Sequence, residues 1–203
     1  MQKFDPKIEK ALEKCRELDA AARLHGKKDE QFWIVSDEVG RLLNAKAKEI
    51  KARYILEIGT SIGYSTMFFA EAVAPEKGKV YTIESNRERA TIAREHIEAS
   101  GLAPYIHLTR NHAPEHIPFQ DPDTGNSLEG KIDILFLDCI KMYYLRCFEA
   151  AEPLLRPGSL VIADNILSHP EPLADFVKKI QSDPSIESEI IDIGTGLLIA
   201  KMP

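Results

Sequence analysis

Apolar residues follow two different rhythms along this chain, and the change of rhythm divides it. Ile8, Leu12, Cys15 and Ala22 recur at helical spacing, with Pro6 near the first turn and Gly26 as a stop, which predicts a helix from about Pro6 to Leu24. A second helix is predicted after Ser36, where Asp37 and Glu38 suit the first turn and Val39, Leu42, Leu43 and Ala47 form its stripe. Short continuous apolar runs then take over. Tyr54–Ile58, Val80–Ile83, Ile106–Thr109, Ile132–Leu137 and Leu160–Ala163 read as strands. Helical stretches separate them at Ser65–Ala74, from Asn86 to Gly101, at Tyr143–Leu155 and at Leu173–Ile180. Two last runs, Glu189–Ile193 and Leu197–Lys201, flank Gly194-Thr195-Gly196 and predict a hairpin.

Apolar strands alternating with amphipathic helices indicate a buried parallel sheet covered on both faces. The expected fold is therefore α/β: a doubly wound, mostly parallel seven-stranded sheet with a C-terminal antiparallel hairpin. The 203 residues suit a single domain, with residues 1–50 as an N-terminal helical extension. Residues 120–130, QDPDTGNSLEG, read as a loop of turn formers.

Composition narrows the class without naming a function. Hydrophobic residues at 44% and charged residues at 29% exclude disordered and collagen-like chains. A net charge of −6 disfavours a nucleic-acid partner, because gripping a phosphate backbone usually takes a basic face. Cys15, Cys139 and Cys147 form no CxxC pair and leave one over, which suits a reducing compartment and offers no zinc site. The opening MQKFDPKIEK has no apolar core of a signal peptide, and no run approaches the roughly 20 apolar residues that span a bilayer. These features predict a cytoplasmic protein with no membrane partner.

In a doubly wound sheet the strand ends near the switch in strand order hold the ligand. The first such end reads Leu56-Glu57-Ile58-Gly59-Thr60-Ser61-Ile62-Gly63-Tyr64-Ser65. Gly59 and Gly63 permit a sharp turn and a close approach of backbone to ligand. A dinucleotide fingerprint on Gly59 would need glycines at 61 and 64, where Ser61 and Tyr64 stand. Glu84 ends the second strand, placed to accept hydrogen bonds from ribose hydroxyls. A nucleoside site without a pyrophosphate cradle points to S-adenosylmethionine. The blander reading of these segments is a glycine turn and a surface glutamate in a structural domain.

Two later strand ends are acidic. Asp138 follows the fourth strand with Lys141 close behind, and Asp164-Asn165 follows the fifth. Two carboxylates and an amide form a hard oxygen site suited to Mg²⁺, or to Ca²⁺ or Mn²⁺. Beside such a cation Lys141 would have a lowered pKa and serve as general base. The alternatives are that Asp138, Asp164 and Asn165 cap the following helices and that Lys141 is a solvated first-turn lysine.

The same residues resemble the cation-dependent O-methyltransferases, the family of the catechol and caffeoyl-CoA enzymes. The likeness runs from about Ile34 to the C-terminus and is carried by Val35, LEIGTSIGYS at 56–65, TIES at 82–85, FLDCIK at 136–141 with Tyr144, LLRPGSLVIADN at 154–165 and GTGLLIAK at 194–201. The resemblance implies one methyltransferase domain over 1–203. It also implies that Val35, Glu57, Gly59, Ser65, Glu84 and Ala113 line the donor site, joined in our candidate set by Ser61, Gly63, Tyr64, Ser85, His112 and Asp138. It makes Asp138, Asp164 and Asn165 the cation ligands and Lys141 the general base, in a direct in-line displacement on a catechol-like or other vicinal-oxygen small molecule.

The sequence departs from the family at Asn111-His112-Ala113, where relatives often have Gly-Asp-Ala, at Cys139-Ile140, and at Ile166–Pro170 with His169. These changes surround the acceptor pocket, so no relative's substrate transfers directly. Two other functions stay open: methylation of a hydroxylated uridine in tRNA, and a non-catalytic donor-binding module. Family members often form homodimers, and the first helix, with Leu12 and Leu18, is a candidate to pack on a second subunit or to lie over the acceptor pocket.

Overall fold

The computed structural model of the chain describes residues 3–24 and 31–203; Gly26, the expected helix stop, lies outside them. Two helices come first, α1 (Pro6–Leu24) and α2 (Asp37–Glu49), the latter capped by the Ser36 hydroxyl accepting from Val39 N. The alternating part follows as β1 (Tyr54–Ile58), α3 (Tyr64–Val73), β2 (Lys79–Glu84), α4 (Arg87–Ser100), β3 (Ile106–Arg110), β4 (Ile132–Leu137), α5 (Tyr144–Ala151), β5 (Leu155–Ala163), α6 (Pro170–Gln181), β6 (Glu187–Ile191) and β7 (Leu197–Lys201).

The sheet has seven strands in the order β3-β2-β1-β4-β5-β7-β6. Pairing is parallel from β3 through β5, and antiparallel where β7 meets β5 and β6. The order reverses between β1 and β4, which opens a crevice at their carboxyl ends. Neighbouring residues on each strand face opposite layers. Ile55, Ile134, Ile162 and Ile199 pack with α1, α2 and α3, while Leu56, Leu135, Val161 and Leu198 pack with α5 and α6.

The departures from the predicted boundaries have local causes. β5 begins at Leu155 rather than Leu160, because Leu155 already pairs with Ile132 ahead of an irregular stretch at 156–159 in which Gly158 takes φ 75°. A register shift between Ile132 and Ile134 accommodates that extra stretch. The predicted helix 143–155 is shorter, with single 3-10 turns at Lys141–Tyr143 and Glu152–Leu154 on either side of α5. β6 starts at Glu187 with a largely exposed, polar edge that carries little hydrophobic signal.

α1 uses its apolar stripe inside its own chain. Leu12 and Cys15 are fully buried, so Leu12 is not available to a second subunit. The Cys15 thiol stands 3.1 Å from His96 Nδ1 of α4, and that nitrogen lies 3.0 Å from the Ile62 carbonyl oxygen. Burial pushes the Cys15 thiol up to about 12. Among the described residues no helix is long and apolar enough to cross a membrane.

Candidate active site

A cavity of about 1090 Å³ opens at the carboxyl ends of β1, β2, β3, β4 and β5. Its walls include Gly59 and Ser61 after β1, Glu84 and Ser85 at β2, His112 and Ala113 after β3, Asp138 and Lys141 after β4, and Asp164 and Asn165 at β5. Val35 and Tyr64 close one side. Residues scattered over most of the sequence thus meet because the sheet brings its strand ends together.

The glycine loop is held by its backbone. Gly59 N donates to the Ile83 carbonyl at 3.0 Å, and Gly59 adopts φ +108°. Ser61 follows at φ 48°, which aims its N–H at Glu84 Oε2, 2.8 Å away. Glu84 Oε1 accepts from Asn86 N at 2.8 Å. Each Glu84 oxygen therefore takes one backbone hydrogen bond and keeps a lone pair for a ligand hydroxyl. The Ser61 hydroxyl donates to the Phe32 carbonyl, tying the loop to the segment before α2.

Three expected donor-site residues stand behind this wall rather than on it. Gly63 supplies the left-handed turn that starts α3, at φ 87°. Glu57 is fully buried and accepts from the hydroxyls of Ser65 at 2.6 Å, Thr66 at 2.5 Å and Thr82 at 2.6 Å. Burial raises its pKa, and the three hydroxyls oppose that rise. Glu57, Gly63 and Ser65 are the frame that fixes the loop between β1, β2 and α3.

At the other end of the cavity, Asp138 N donates to the Ile58 carbonyl at 3.0 Å and Asp164 N to the Leu137 carbonyl at 3.1 Å, continuing the parallel ladder past the strands. Both carboxylates are thereby delivered to one spot. Burial pushes Asp138 upward, Lys141 opposes it, and Asp164 adds like-charge repulsion; Asp164 is raised mainly by burial as well. Asn165 is held at φ 67°, and its Nδ2 donates to Thr195 Oγ1 at 3.1 Å. Thr195 in turn donates to Asp164 Oδ1 at 2.6 Å. Asn165 Oδ1 is buried and has no hydrogen-bond partner.

Two carboxylates disfavoured as bare anions and one orphaned amide oxygen are the pattern a hard cation would complete. Among the described residues no group of three or more histidine, cysteine or acidic side chains forms a metal cluster, so any cation here rests on two carboxylates and an amide. Lys141 Nζ lies 3.3 Å from Asp138 Oδ1 and donates to the Cys139 carbonyl at 3.0 Å.

Several wall residues escaped the sequence reading. Arg16, Asp19 and Arg23 of α1 line the cavity, and Arg16 donates to the Tyr64 hydroxyl at 3.1 Å. Their signal was only a charged helix face. Thr195, which orders Asp164 and Asn165, sat inside what read as a hairpin turn. Trp33, Ile140 and Tyr143 give the mouth an apolar rim, and His169 lines it with Nδ1 2.9 Å from the Ser168 hydroxyl.

Known proteins are similar to this chain in sequence and fold. The O-methyltransferase family model matches residues 9–202. A catechol O-methyltransferase of Niastella koreensis is 35% identical over 133 residues, 66% of this chain, and the match spans only 58% of that relative. Caffeoyl-CoA O-methyltransferase 1 of Eucalyptus globulus is 27% identical over 214 residues, covering 97% of this chain and 83% of that protein. Among solved structures, an O-methyltransferase from Bacillus cereus in complex with SAH superposes with a TM-score of 0.80 at 25% identity, over 100% of this chain and 93% of the other.

Proposed function

Since this chain belongs to the O-methyltransferase family, we propose that it transfers the methyl group of S-adenosylmethionine to a hydroxyl of a catechol-like or other vicinal-oxygen small molecule, with a divalent cation at Asp138, Asp164 and Asn165. The observation that carries this reading is the meeting in one cavity of a phosphate-free nucleoside wall and an oxygen set with an orphaned Asn165 Oδ1 beside Lys141. When bound, the donor supplies an electrophilic sulfonium methyl, and the cation, most plainly Mg²⁺, lowers the pKa of a hydroxyl chelated to it.

The chain's own residues would do the rest. Glu84 accepts from the ribose hydroxyls, with Ser85, His112 and Ala113 along the adenosine side and Val35, Gly59, Ser61 and Tyr64 along the rest of the donor wall. Glu57, Gly63 and Ser65 act from behind by fixing the loop. Lys141 Nζ takes the proton of the reacting hydroxyl. The ammonium so formed is held by Asp138 Oδ1 and the Cys139 carbonyl, the two oxygens already within 3.3 Å and 3.0 Å of it. Alignment of oxygen, methyl and sulfur supplies most of the acceleration, through proximity and orientation. α1 belongs to the methyltransferase domain in this reading, because Arg16, Asp19 and Arg23 wall the same cavity.

Calorimetric titration with S-adenosylmethionine, with and without Mg²⁺, followed by methyl transfer to a panel of catechols, tests the proposal. Donor binding with cation-dependent turnover is expected. Donor binding without turnover on any small diol would redirect the acceptor search to hydroxylated uridine in tRNA. Absence of donor binding would overturn the reading.

A further inference from the structure

The turn between β6 and β7 reaches the acidic end of the cavity from the far end of the chain. Gly194-Thr195-Gly196 is locked there by its backbone. The Thr195 carbonyl accepts from Leu167 N and Ser168 N, both at 3.1 Å, and the Gly196 carbonyl accepts from Ile166 N at 3.0 Å. No side chain fits at Gly196, where a Cβ would lie 2.7 Å from Leu167 N. The turn and the loop after Asn165 thus form one frame, held without help from the Thr195 side chain.

The Thr195 hydroxyl is spent on the two oxygen ligands of β5 instead. A hydroxyl has one proton to give and lone pairs with which to receive. The proton goes to Asp164 Oδ1, 2.6 Å away, and a lone pair accepts from Asn165 Nδ2 at 3.1 Å. The second bond follows from the first. A hydroxyl whose proton is committed to a carboxylate can only accept, so it selects the nitrogen end of an amide that could otherwise present either end. Asn165 Oδ1 is thereby turned away from Thr195, to the place where it is buried without a hydrogen-bond partner.

We propose that Thr195 is a positioning residue of the cation site, its single hydroxyl fixing the Asp164 carboxylate and turning Asn165 Oδ1 toward the ion. The inference rests on the reading above that Asp138, Asp164 and Asn165 hold a divalent cation. A partner that orients a metal's ligands contributes about 10–100-fold in metal affinity. The donor side of the cavity does not draw on this hydroxyl. Glu84 and Gly59 are held by bonds to Ser61, Asn86 and Ile83, so the affinity for S-adenosylmethionine should be independent of it.

The test is cation binding by the intact protein, with Mn²⁺ as the probe and the electron spin resonance of the free ion as the readout. Thr195→Val removes the hydroxyl and keeps the branched side chain; Thr195→Ser keeps the hydroxyl. Wild type should bind Mn²⁺, Thr195→Val should bind it roughly 10–100-fold more weakly, and Thr195→Ser should recover most of the loss. Calorimetric affinity for S-adenosylmethionine without a cation should be the same in all three. Thr195→Val binding Mn²⁺ as tightly as wild type would overturn the proposal, and so would a serine variant that fails to rescue. A loss of donor affinity in step with the loss of Mn²⁺ would make Thr195 a packing residue only. Wild type that binds no Mn²⁺ would overturn the cation reading itself, and the role of Thr195 with it.

Discussion

The carbonyl oxygen of Asp138 occupies the space where a side chain on Gly59 would begin: an ideal Cβ there would lie 2.0 Å from it. The contact is backbone on backbone, so no rotamer change can relieve it, and φ +108° is itself strained for any residue with a Cβ. Gly59→Ala should cost roughly 2–5 kcal/mol of stability. It should also abolish donor binding by parting the glycine loop from the acidic strand end. Urea unfolding alongside calorimetric titration of S-adenosylmethionine checks both. A variant that binds the donor normally would show that the loop tolerates that separation.

Lys141→Met should reduce kcat by roughly 10²–10⁴-fold while the donor still binds. Cation affinity should not weaken, since Asp138, Asp164 and Asn165 keep every proposed ligand oxygen. The rate deficit should shrink as pH rises, because the acceptor hydroxyl then ionises unaided. A deficit constant across pH would give Lys141 a positioning role instead of a proton-accepting one.

Asn165→Gly keeps the left-handed backbone and removes the orphaned amide oxygen. Without a cation its stability should stay within about 1 kcal/mol of the parent, because the lost Nδ2 donation to Thr195 is exposed and glycine adopts the left-handed backbone without strain. The rise in Tm expected from Mg²⁺ should disappear, and Asp138→Ala should likewise abolish cation-dependent turnover with the fold intact. Thermal unfolding with and without Mg²⁺, or activity in chelator, decides the matter. Full activity of Asp138→Ala in chelator would sink the cation site.

Glu57 carries the pH prediction. Burial raises its pKa in the folded chain above the ordinary 4.5, so the folded state holds that proton more tightly than the unfolded one. The resulting stabilisation is complete below the unfolded value and fades as pH rises through the folded value. Glutamine does not titrate, so Glu57→Gln should gain on the parent between mildly acidic and neutral pH. Urea midpoints at both ends of that window test it, and a difference independent of pH would mean that no raised titration exists. Glu57→Ala, which strands three buried hydroxyls, should cost roughly 2–4 kcal/mol.

Much of this molecule was legible from periodicity alone. The apolar runs at 54–58, 132–137 and 160–163 are buried on both faces, so hydrophobicity located them directly. β6 was harder to bound because an edge strand exposes Glu187 and Glu189 and needs no alternation. The start of β5 was hidden by Pro157 and Gly158, which signal a turn locally and lie in the irregularity between the Leu155 and Leu160 pairings with β4. Asp138, Asp164 and Asn165 line one cavity, and their place at strand ends, which this sheet gathers along one edge, made that meeting legible. The full burial of Glu57 under the hydroxyls of Ser65, Thr66 and Thr82 was not legible, since Thr82 comes from another strand. Thr195 and Arg16 depend on contacts with Asp164 and Tyr64 far away in the chain, and no local pattern encodes those.

The position of β7 bears on how the chain is made. It enters the sheet between β5 and β6, although it follows both in sequence. During synthesis, β6 leaves the ribosome before β7, the strand it pairs with, exists. The outer edge of β5 meanwhile stays open, with its N–H and C=O groups unpaired, in a chain already able to pair β1 through β5. The sheet is therefore finished from the inside by its last strand. The nascent protein passes through a stage with one bare edge and one stray strand, when a chaperone or a neighbouring chain has its best opportunity to engage it.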